Sequence, residues 1–342
     1  MIYGIKNRPW FSITWAIALV LTVPVLVMIL NGVSAGTDTF FHLWQTVLPD
    51  YIFNTIVLGI GVTLLSALWG IPSAIFIVNT NIYHKALLRW LLLLPLAMPA
   101  YLVAYLYTDL LDYAGPIQIS LRQWFGWQSP KDYWFFDMRT LGGASFVISL
   151  VLYPYVYMMA RGAFEQQDAN LLRASRLLGN NHLQSFLKVS LPLARPAIGV
   201  ALGLVLMETL ADFATVQYFA VNTLTTAVYD TWLGYGELST ANRIASILLF
   251  MVFVVVVWEQ NARSKMRHQS GQPNTEHKII NLSPVVRVLA TAYCWLLVLL
   301  GFILPLVLLL DMTIANTGFE QITTLIPSAL NSLNVALIVA TS

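Results

Sequence analysis

Residues 165–198 read EQQDANLLRASRLLGNNHLQSFLKVSLPLARPAI, a polar stretch between two apolar runs near 141–160 and 194–220. Its first half places Leu171, Leu172, Ala174, Ser175 and Leu178 on one helical face and Asn170, Arg173 and Arg176 on the other, the pattern of a short amphipathic helix. Gly179 follows directly, where a helix end favours a residue that tolerates positive φ. The second half sets Leu183, Phe186, Leu187 and Ser190 against His182, Gln184 and Lys188, a further amphipathic turn or two. Pro192 and Pro196 then suit the first turns of the next helix, where a missing N–H costs little. Two short helices with a glycine joint are expected, resting on a membrane surface. They either anchor the bundle among the headgroups or dock a partner.

The flanking apolar runs recur along the chain. A hydrocarbon core of roughly 30 Å needs about 20 apolar residues per helix. Eight candidate segments lie near 11–30, 52–78, 87–108, 141–160, 194–220, 244–258, 286–310 and 328–342, the sixth of them short. The fold class is therefore all-α, a polytopic transmembrane helical bundle. Composition agrees, with 58% hydrophobic and 10% charged residues, whereas a soluble domain carries roughly 25% charged residues. A soluble pair of domains, a disordered chain, a secreted disulfide scaffold and a nucleic-acid binder are all excluded on that ground. The single cysteine, Cys294, lies in an apolar run and reads as a packing residue. Five scattered histidines give no ligand spacing, so neither a metal site nor a cofactor is read.

Topology follows from the basic residues. With the N-terminus in the cytoplasm, one side receives 14 of the 18 Lys and Arg; Arg122, Lys131, Arg139 and Arg243 fall on the other. Lys6 and Arg8, the first apolar run and then Val33-Ser34-Ala35 also fit a cleaved signal peptide, but the length of the run favours a retained helix. The polar stretch 259–283 reads as a linker, after which Leu325–Ala340 echoes Val47–Val62, with Pro327 against Pro49 and Asn331-Ser332 against Asn54-Thr55. The expected organisation is a six-helix unit over 1–260 with the polar loop at 164–195, a linker over 261–285, and the start of a second, incomplete unit over 286–342. The natural chain is expected to continue beyond Ser342.

Arg173-Ala174-Ser175, then Gly179 after three residues, then Val189-Ser190-Leu191-Pro192 after nine more, resembles the loop signature of permease subunits of binding-protein-dependent ABC importers. Arg173 departs from it, standing where that family usually carries Glu. Tyr153-Pro154-Tyr155, Arg161, the stretch Met207–Phe213 and Asn222–Thr226 resemble the ferric-iron branch, whose full-length members fuse two six-helix units. The resemblance implies a bacterial inner-membrane location and a loop that seats in cytoplasmic ABC ATPase subunits. It also implies a periplasmic or lipid-anchored substrate-binding protein outside. The chain lacks a G-x-x-x-x-G-K-[ST] loop, so ATP hydrolysis is assigned to the partner and the permease is not read as an enzyme.

Glu208 and Asp212, four apart in the fifth segment, are candidates to line the translocation pathway. Ionisable groups at membrane depth face a cavity or a partner, and carboxylate oxygens suit a hard cation; an early helix end would instead leave both near the outer interface. The aromatic-rich stretch 109–139 suits a membrane interface or a docking surface for the binding protein. Pro72, Pro95 and Pro99 should bend their helices. Thiamine, polyamine and inorganic-anion importers are the alternatives within the family. An ion-coupled secondary carrier that uses Glu208 and Asp212 as a relay is the rival outside it. Topology can be checked with alkaline phosphatase fusions: a fusion after Lys131 should be active and one after Arg173 inactive, and the reverse pattern would invert the bundle.

Overall fold

The computed structural model describes residues 9–34, 38–129, 131–266, 280–316 and 319–341. Lys6, Arg8, Ala35, Arg267, His268, His277, Lys278, Ser342 and most of the expected linker lie outside them. In chain order the α-helices are α1 Pro9–Ser34, α2 Asp38–Thr46, α3 Leu48–Asn79, α4 Lys85–Leu91, α5 Ala100–Leu111, α6 Pro116–Phe125, α7 Leu141–Glu165 and α8 Ala169–Leu177. They continue as α9 His182–Ser185, α10 Leu191–Ala211, α11 Ala214–Tyr218, α12 Leu224–Tyr229, α13 Leu238–Met266, α14 Pro284–Val298, α15 Leu304–Asn316 and α16 Phe319–Thr341.

Six helical stretches among the described residues are long and apolar enough to cross a membrane: Ser12–Val33, Leu48–Asn79, Leu141–Glu165, Phe186–Ala211, Leu238–Ser264 and Pro284–Ile314. The eighth expected segment is represented by a shorter apolar helical stretch, Ile326–Thr341, and three others change shape. The third is not one straight span: Lys85–Ala97 and Ala100–Phe125 meet at 91°. Pro99 holds Met98 in an extended conformation and caps α5, as the steric clash of a proline ring with the preceding residue requires. The sixth is longer than its apolar run suggested, α13 continuing at both ends with polar residues. The fifth starts earlier and stops earlier, at Ala211 rather than 220.

That fifth segment also absorbs the second half of the polar loop. A π-turn over Phe186–Ser190 joins α9 to α10, so the residues expected as a separate amphipathic turn are the start of the membrane helix. The Leu191 N–H reaches back to the Phe186 carbonyl, and Leu304 does the same to Leu299 ahead of Pro305. In both places the proline comes next: its ring crowds the carbonyl one turn back and supplies no donor, and the widened turn relieves the clash while keeping the helix continuous.

α7 is the inner helix. It is apolar for most of its length before Arg161, as a largely enclosed helix requires, and 78% of its apolar stretch is buried against 0% for α1. Val147, Ile148, Val151 and Val156 face one cluster with Leu58, Val62 and Val205. Leu150, Tyr153, Tyr157 and Phe164 face another with Ala74, Ile77, Ile198 and the fully buried Cys294. α3 and α7 approach closely at Gly70, where a Cβ would lie 2.8 Å from both the Tyr157 backbone nitrogen and the Val156 Cβ. α14 joins this core from the far side of the linker. The Ile280 N–H donates to the Asn79 carbonyl at 2.7 Å, Tyr83 N–H to Thr291 Oγ1 at 3.1 Å, and the Arg287 guanidinium lies 3.8 Å over the Tyr83 ring.

Gly70→Val forces an isopropyl group into backbone and should cost roughly 1–3 kcal/mol. Thermal unfolding in detergent should show a lowered midpoint; an unchanged midpoint would mean the α3–α7 contact is looser than described.

Candidate functional site

The polar loop is built from its two caps inward. Asp168 Oδ1 accepts the Asn170 N–H at 2.8 Å, starting α8, and the helix ends at Leu178 with Gly179 at φ +90°. There the Gly179 N–H bonds to the Arg176 carbonyl at 2.9 Å and the Asn180 N–H to the Ser175 carbonyl at 3.3 Å, the paired bonds of a Schellman ending. Gly179 is therefore required by its backbone conformation, as its place in the sequence suggested. Arg173, Ala174, Ser175 and Gly179 sit on α8 and its cap, whereas Val189, Leu191 and Pro192 sit in the π-turn and the first turn of α10.

Hydroxyls and amides stitch these two parts together. Ser175 Oγ donates to Ser185 Oγ at 3.0 Å, Asn180 Nδ2 to Ser175 Oγ at 3.3 Å, and Lys188 Nζ to Asn180 Oδ1 at 3.3 Å. Gln167 clasps the start of α10: its Nε2 donates to the Ser190 carbonyl at 2.8 Å and its Oε1 accepts from Ser190 Oγ at 2.5 Å. At the foot of α7, Glu165 accepts from Arg89 Nη2 of α4 at 2.9 Å and faces Arg161 at 3.6 Å. The Tyr157 hydroxyl meanwhile donates to the Arg89 carbonyl at 3.1 Å. The apolar face expected of α8 is left largely exposed. Of its members only Ser175 is buried; Leu171 and Leu178 stand 48% and 84% exposed, and neighbouring Leu177 89%. The face is apolar as predicted, and among the described residues nothing covers it.

At the other end of α10, Glu208 and Asp212 do not share a continuous helix face. Asp212 is the extended C-cap of α10, and its Oδ1 accepts the Thr215 N–H at 2.8 Å while its carbonyl accepts from Thr225 Oγ1 at 3.0 Å. Asp212 thus turns the chain into α11 by the short-range capping that Asp side chains favour. Glu208 occupies the last turn of α10 and is exposed. Asn54 and Thr55 of α3, which the sequence showed only as repeat markers, join the cluster. Asn54 Nδ2 donates to the Asn222 carbonyl at 3.0 Å and Thr55 Oγ1 accepts the Leu224 N–H at 2.9 Å. The motif Asn222–Thr226 is a helix start with a reciprocal capping box between Thr223 and Thr226.

The aromatic stretch folds into a small lobe of its own. Phe125, Trp127 and Tyr133 stack at 4.7 and 4.6 Å, and the Tyr133 hydroxyl donates to the buried Gln118. Beside them lies a cavity of about 360 Å³ whose wall includes Asp112, Tyr113, Trp134 and Arg139. Among the described residues no group of three His, Cys, Asp or Glu is placed to hold a metal ion.

These elements define a membrane-embedded helical bundle with one clamped helical loop that carries exposed leucines. Residues 66–258 match the family model of the binding-protein-dependent transport system inner membrane component, and the chain belongs to that family. It is 24% identical over 321 residues to the Fe(3+)-transport system permease protein FbpB 2 of Haemophilus influenzae, a match covering 92% of this chain and 59% of that protein. The molybdenum transport system permease protein ModB of Escherichia coli K12 is 30% identical over 222 residues, 61% of this chain and 93% of its own length. Among solved structures, a bacterial alginate ABC transporter in complex with an alginate pentasaccharide-bound periplasmic protein superposes with TM-score 0.55 at 17% identity. That likeness covers 78% of this chain and 97% of the other, and it concerns the fold.

Gly179→Val puts a β-branched residue at positive φ, a strain of roughly 1–3 kcal/mol. Hydrogen exchange of the Gly179 and Asn180 amides should accelerate about tenfold or more while α7 amides stay protected. Equal protection in both proteins would show that the Schellman ending does not hold the loop.

Proposed function

We propose that the chain is the translocating subunit of an ATP-driven importer in the bacterial inner membrane, with its N-terminus in the cytoplasm. In this reading α8 and its Gly179 joint seat in a cytoplasmic ATPase, and ferric iron delivered by an external binding protein is the cargo. The observation that carries it is the clamped α8. Its apolar side chains are exposed at Leu171, Leu177 and Leu178, while Gln167 and Ser175 tie its inner side to the start of α10. A force applied to α8 has a rigid route along Phe186–Ala211 to Glu208 and the turn at Asp212. That geometry suits a lever moved by closure of an ATPase dimer, and the nucleotide chemistry belongs to the partner.

Iron over an oxyanion is supported by two points. The FbpB 2 match runs over 92% of this chain whereas ModB of E. coli matches 61%, and the side chains at the outer end of α10 are carboxylates, whose hard oxygens suit a trivalent cation. Glu208, exposed in the last turn, is the better candidate for a pathway ligand; Asp212 divides its oxygens between cargo and the Thr215 cap.

The test is uptake of radioactive iron in vesicles carrying the full-length chain, its ATPase and its binding protein. Uptake should require ATP and disappear in Gly179→Asp with membrane insertion intact, and Glu208→Gln should cut it about tenfold or more. Gradient-driven uptake without ATP would favour a secondary carrier. ATP-driven uptake of molybdate instead of iron would keep the importer and discard the cargo.

A further inference from the structure

The lobe between α5 and α7 gathers charged and aromatic side chains that neither the α8 loop nor the Glu208 turn employs. α5 is apolar up to Leu111 apart from Thr108 and Asp109, and α7 is apolar from Leu141. The cavity whose wall includes Asp112 and Arg139 therefore sits where the apolar segments give out and the headgroup region begins. Its rings agree: Trp134 stands 87% exposed, with Tyr113 and Phe136 exposed beside it, as amphipathic aromatics at headgroup depth do. The volume of about 360 Å³ falls within the roughly 300–1,000 Å³ of small-molecule sites. Its polar groups have capacity to spare. Asp112 Oδ1 accepts the Tyr113 N–H at 2.7 Å and Asp137 Oδ1 the Arg139 N–H at 2.9 Å. These bonds fix both carboxylates and leave each Oδ2 without a hydrogen bond among the described residues. The Arg139 guanidinium meets Asp112 Oδ2 only loosely, at 3.8 Å, with both side chains half exposed. Thr108, enclosed in the last turn of α5, has the Tyr218 hydroxyl as a neighbour, but its Oγ1 reaches no partner at hydrogen-bond geometry among the described residues.

We infer that this cavity binds the headgroup of a phosphatidylethanolamine drawn from the surrounding bilayer, with its ammonium on Asp112 and Asp137 and its phosphate on Arg139. The pocket carries both signs of charge, and a zwitterion matches that pattern. A purely anionic headgroup would face the two carboxylates unpaired. The primary ammonium offers three N–H donors, enough for the open Oδ2 atoms, and the ring faces of Trp134 and Phe136 favour a cation beside them. The guanidinium presents paired, planar donors that suit a phosphate. Opening the loose, half-exposed Arg139–Asp112 pair to admit the ligand costs little. A lipid is favoured over a soluble zwitterion because the site lies at headgroup depth, and the exposed rings give the acyl chains an apolar surface to follow. Asp112 ends α5 and Arg139 precedes α7, so one bound headgroup would brace the bent pair against the inner helix. The site depends on neither the cargo nor its energy source.

The full-length chain, purified in detergent and stripped of lipid, should be titrated with short-chain phosphatidylethanolamine, phosphatidylcholine and phosphatidylglycerol, with bound lipid read by native mass spectrometry. Wild type should bind the ethanolamine lipid about fivefold or more tighter than the other two, since a trimethylated headgroup has no N–H for the carboxylates and a glycerol headgroup has no cation. Asp137→Asn keeps the Oδ1 acceptor for the Arg139 N–H and removes only the charge; it should erase the preference over phosphatidylglycerol. Arg139→Gln should weaken binding of the ethanolamine lipid about tenfold. That lipid should also raise the thermal midpoint of wild type and not of Arg139→Gln. If Arg139→Gln is unstable without lipid, Trp134→Ala, at an exposed position, should still weaken binding several-fold. Equal affinity for the three headgroups, unmoved by any substitution, would sink the inference. Phosphoethanolamine without acyl chains binding as tightly as the lipid would overturn the bilayer as its source. Variants that bind every lipid normally but lose affinity for the external binding protein would make the cavity a protein-docking surface instead.

Discussion

A hydrocarbon layer offers no water to a backbone N–H, a carbonyl or a side-chain hydroxyl, and each must find its partner within the protein. Much of the interior of this bundle follows from that constraint, although Ser66 Oγ and Tyr153 Oη are enclosed without a hydrogen-bond partner among the described residues. Hydroxyls along the long helices turn back on the carbonyl one turn earlier: Thr55 onto Tyr51, Ser73 onto Trp69, Ser145 onto Leu141 and Thr209 onto Val205. Such bonds satisfy the hydroxyl without recruiting a neighbour, so these residues pack as small apolar ones and let helices approach. Where the helix ladder itself is broken, the break is lined with donors and acceptors. The turn after Asp212 is closed by Thr215, Thr225, Asn54 and Thr55, and the loop after Glu165 by Gln167, Ser175, Ser185 and Ser190.

The same constraint separates a rigid interior from two polar ends. α7, surrounded on every face, ties both apolar clusters together and carries the bundle's register. Polar chemistry collects at its two ends: the Arg89, Glu165 and Arg161 group with the α8 loop at one, and the Glu208, Asp212 and Asn222–Thr226 region at the other. α10 runs from the first group to the second as a single helix, because the π-turn before Pro192 lets the proline sit in the helix without breaking it. A subunit of the family to which this chain belongs has to relate events on two sides of a membrane, and a continuous, well-packed helix between two polar ends is a simple physical means of doing so.

Prolines act differently according to what surrounds them. Pro192 and Pro305 follow widened turns and their helices continue. Pro99 ends one helix and starts another at nearly a right angle, because Met98 before it is driven to an extended conformation. Sequence sets Pro192 in the first turn of a helix and Pro99 at a bend; whether the ladder widens or fails depends on whether neighbouring helices hold the chain in line.

The sequence by itself determined the all-α membrane class, the placement of the apolar segments, the charge asymmetry, the glycine joint at Gly179 and the loop signature, since each depends on composition or on the spacing of nearby residues. Tertiary structure decided the rest. The 91° bend between Lys85–Ala97 and Ala100–Phe125 and the early end of α10 depend on backbone geometry that periodicity does not encode. The joining of Asn54 and Thr55 to Asn222 and Leu224 spans some 168 residues of chain, beyond the reach of any local pattern. The exposed leucines of α8 are the plainest case: their spacing announces an apolar face, but only the packed structure reveals that none of the described residues comes to cover them.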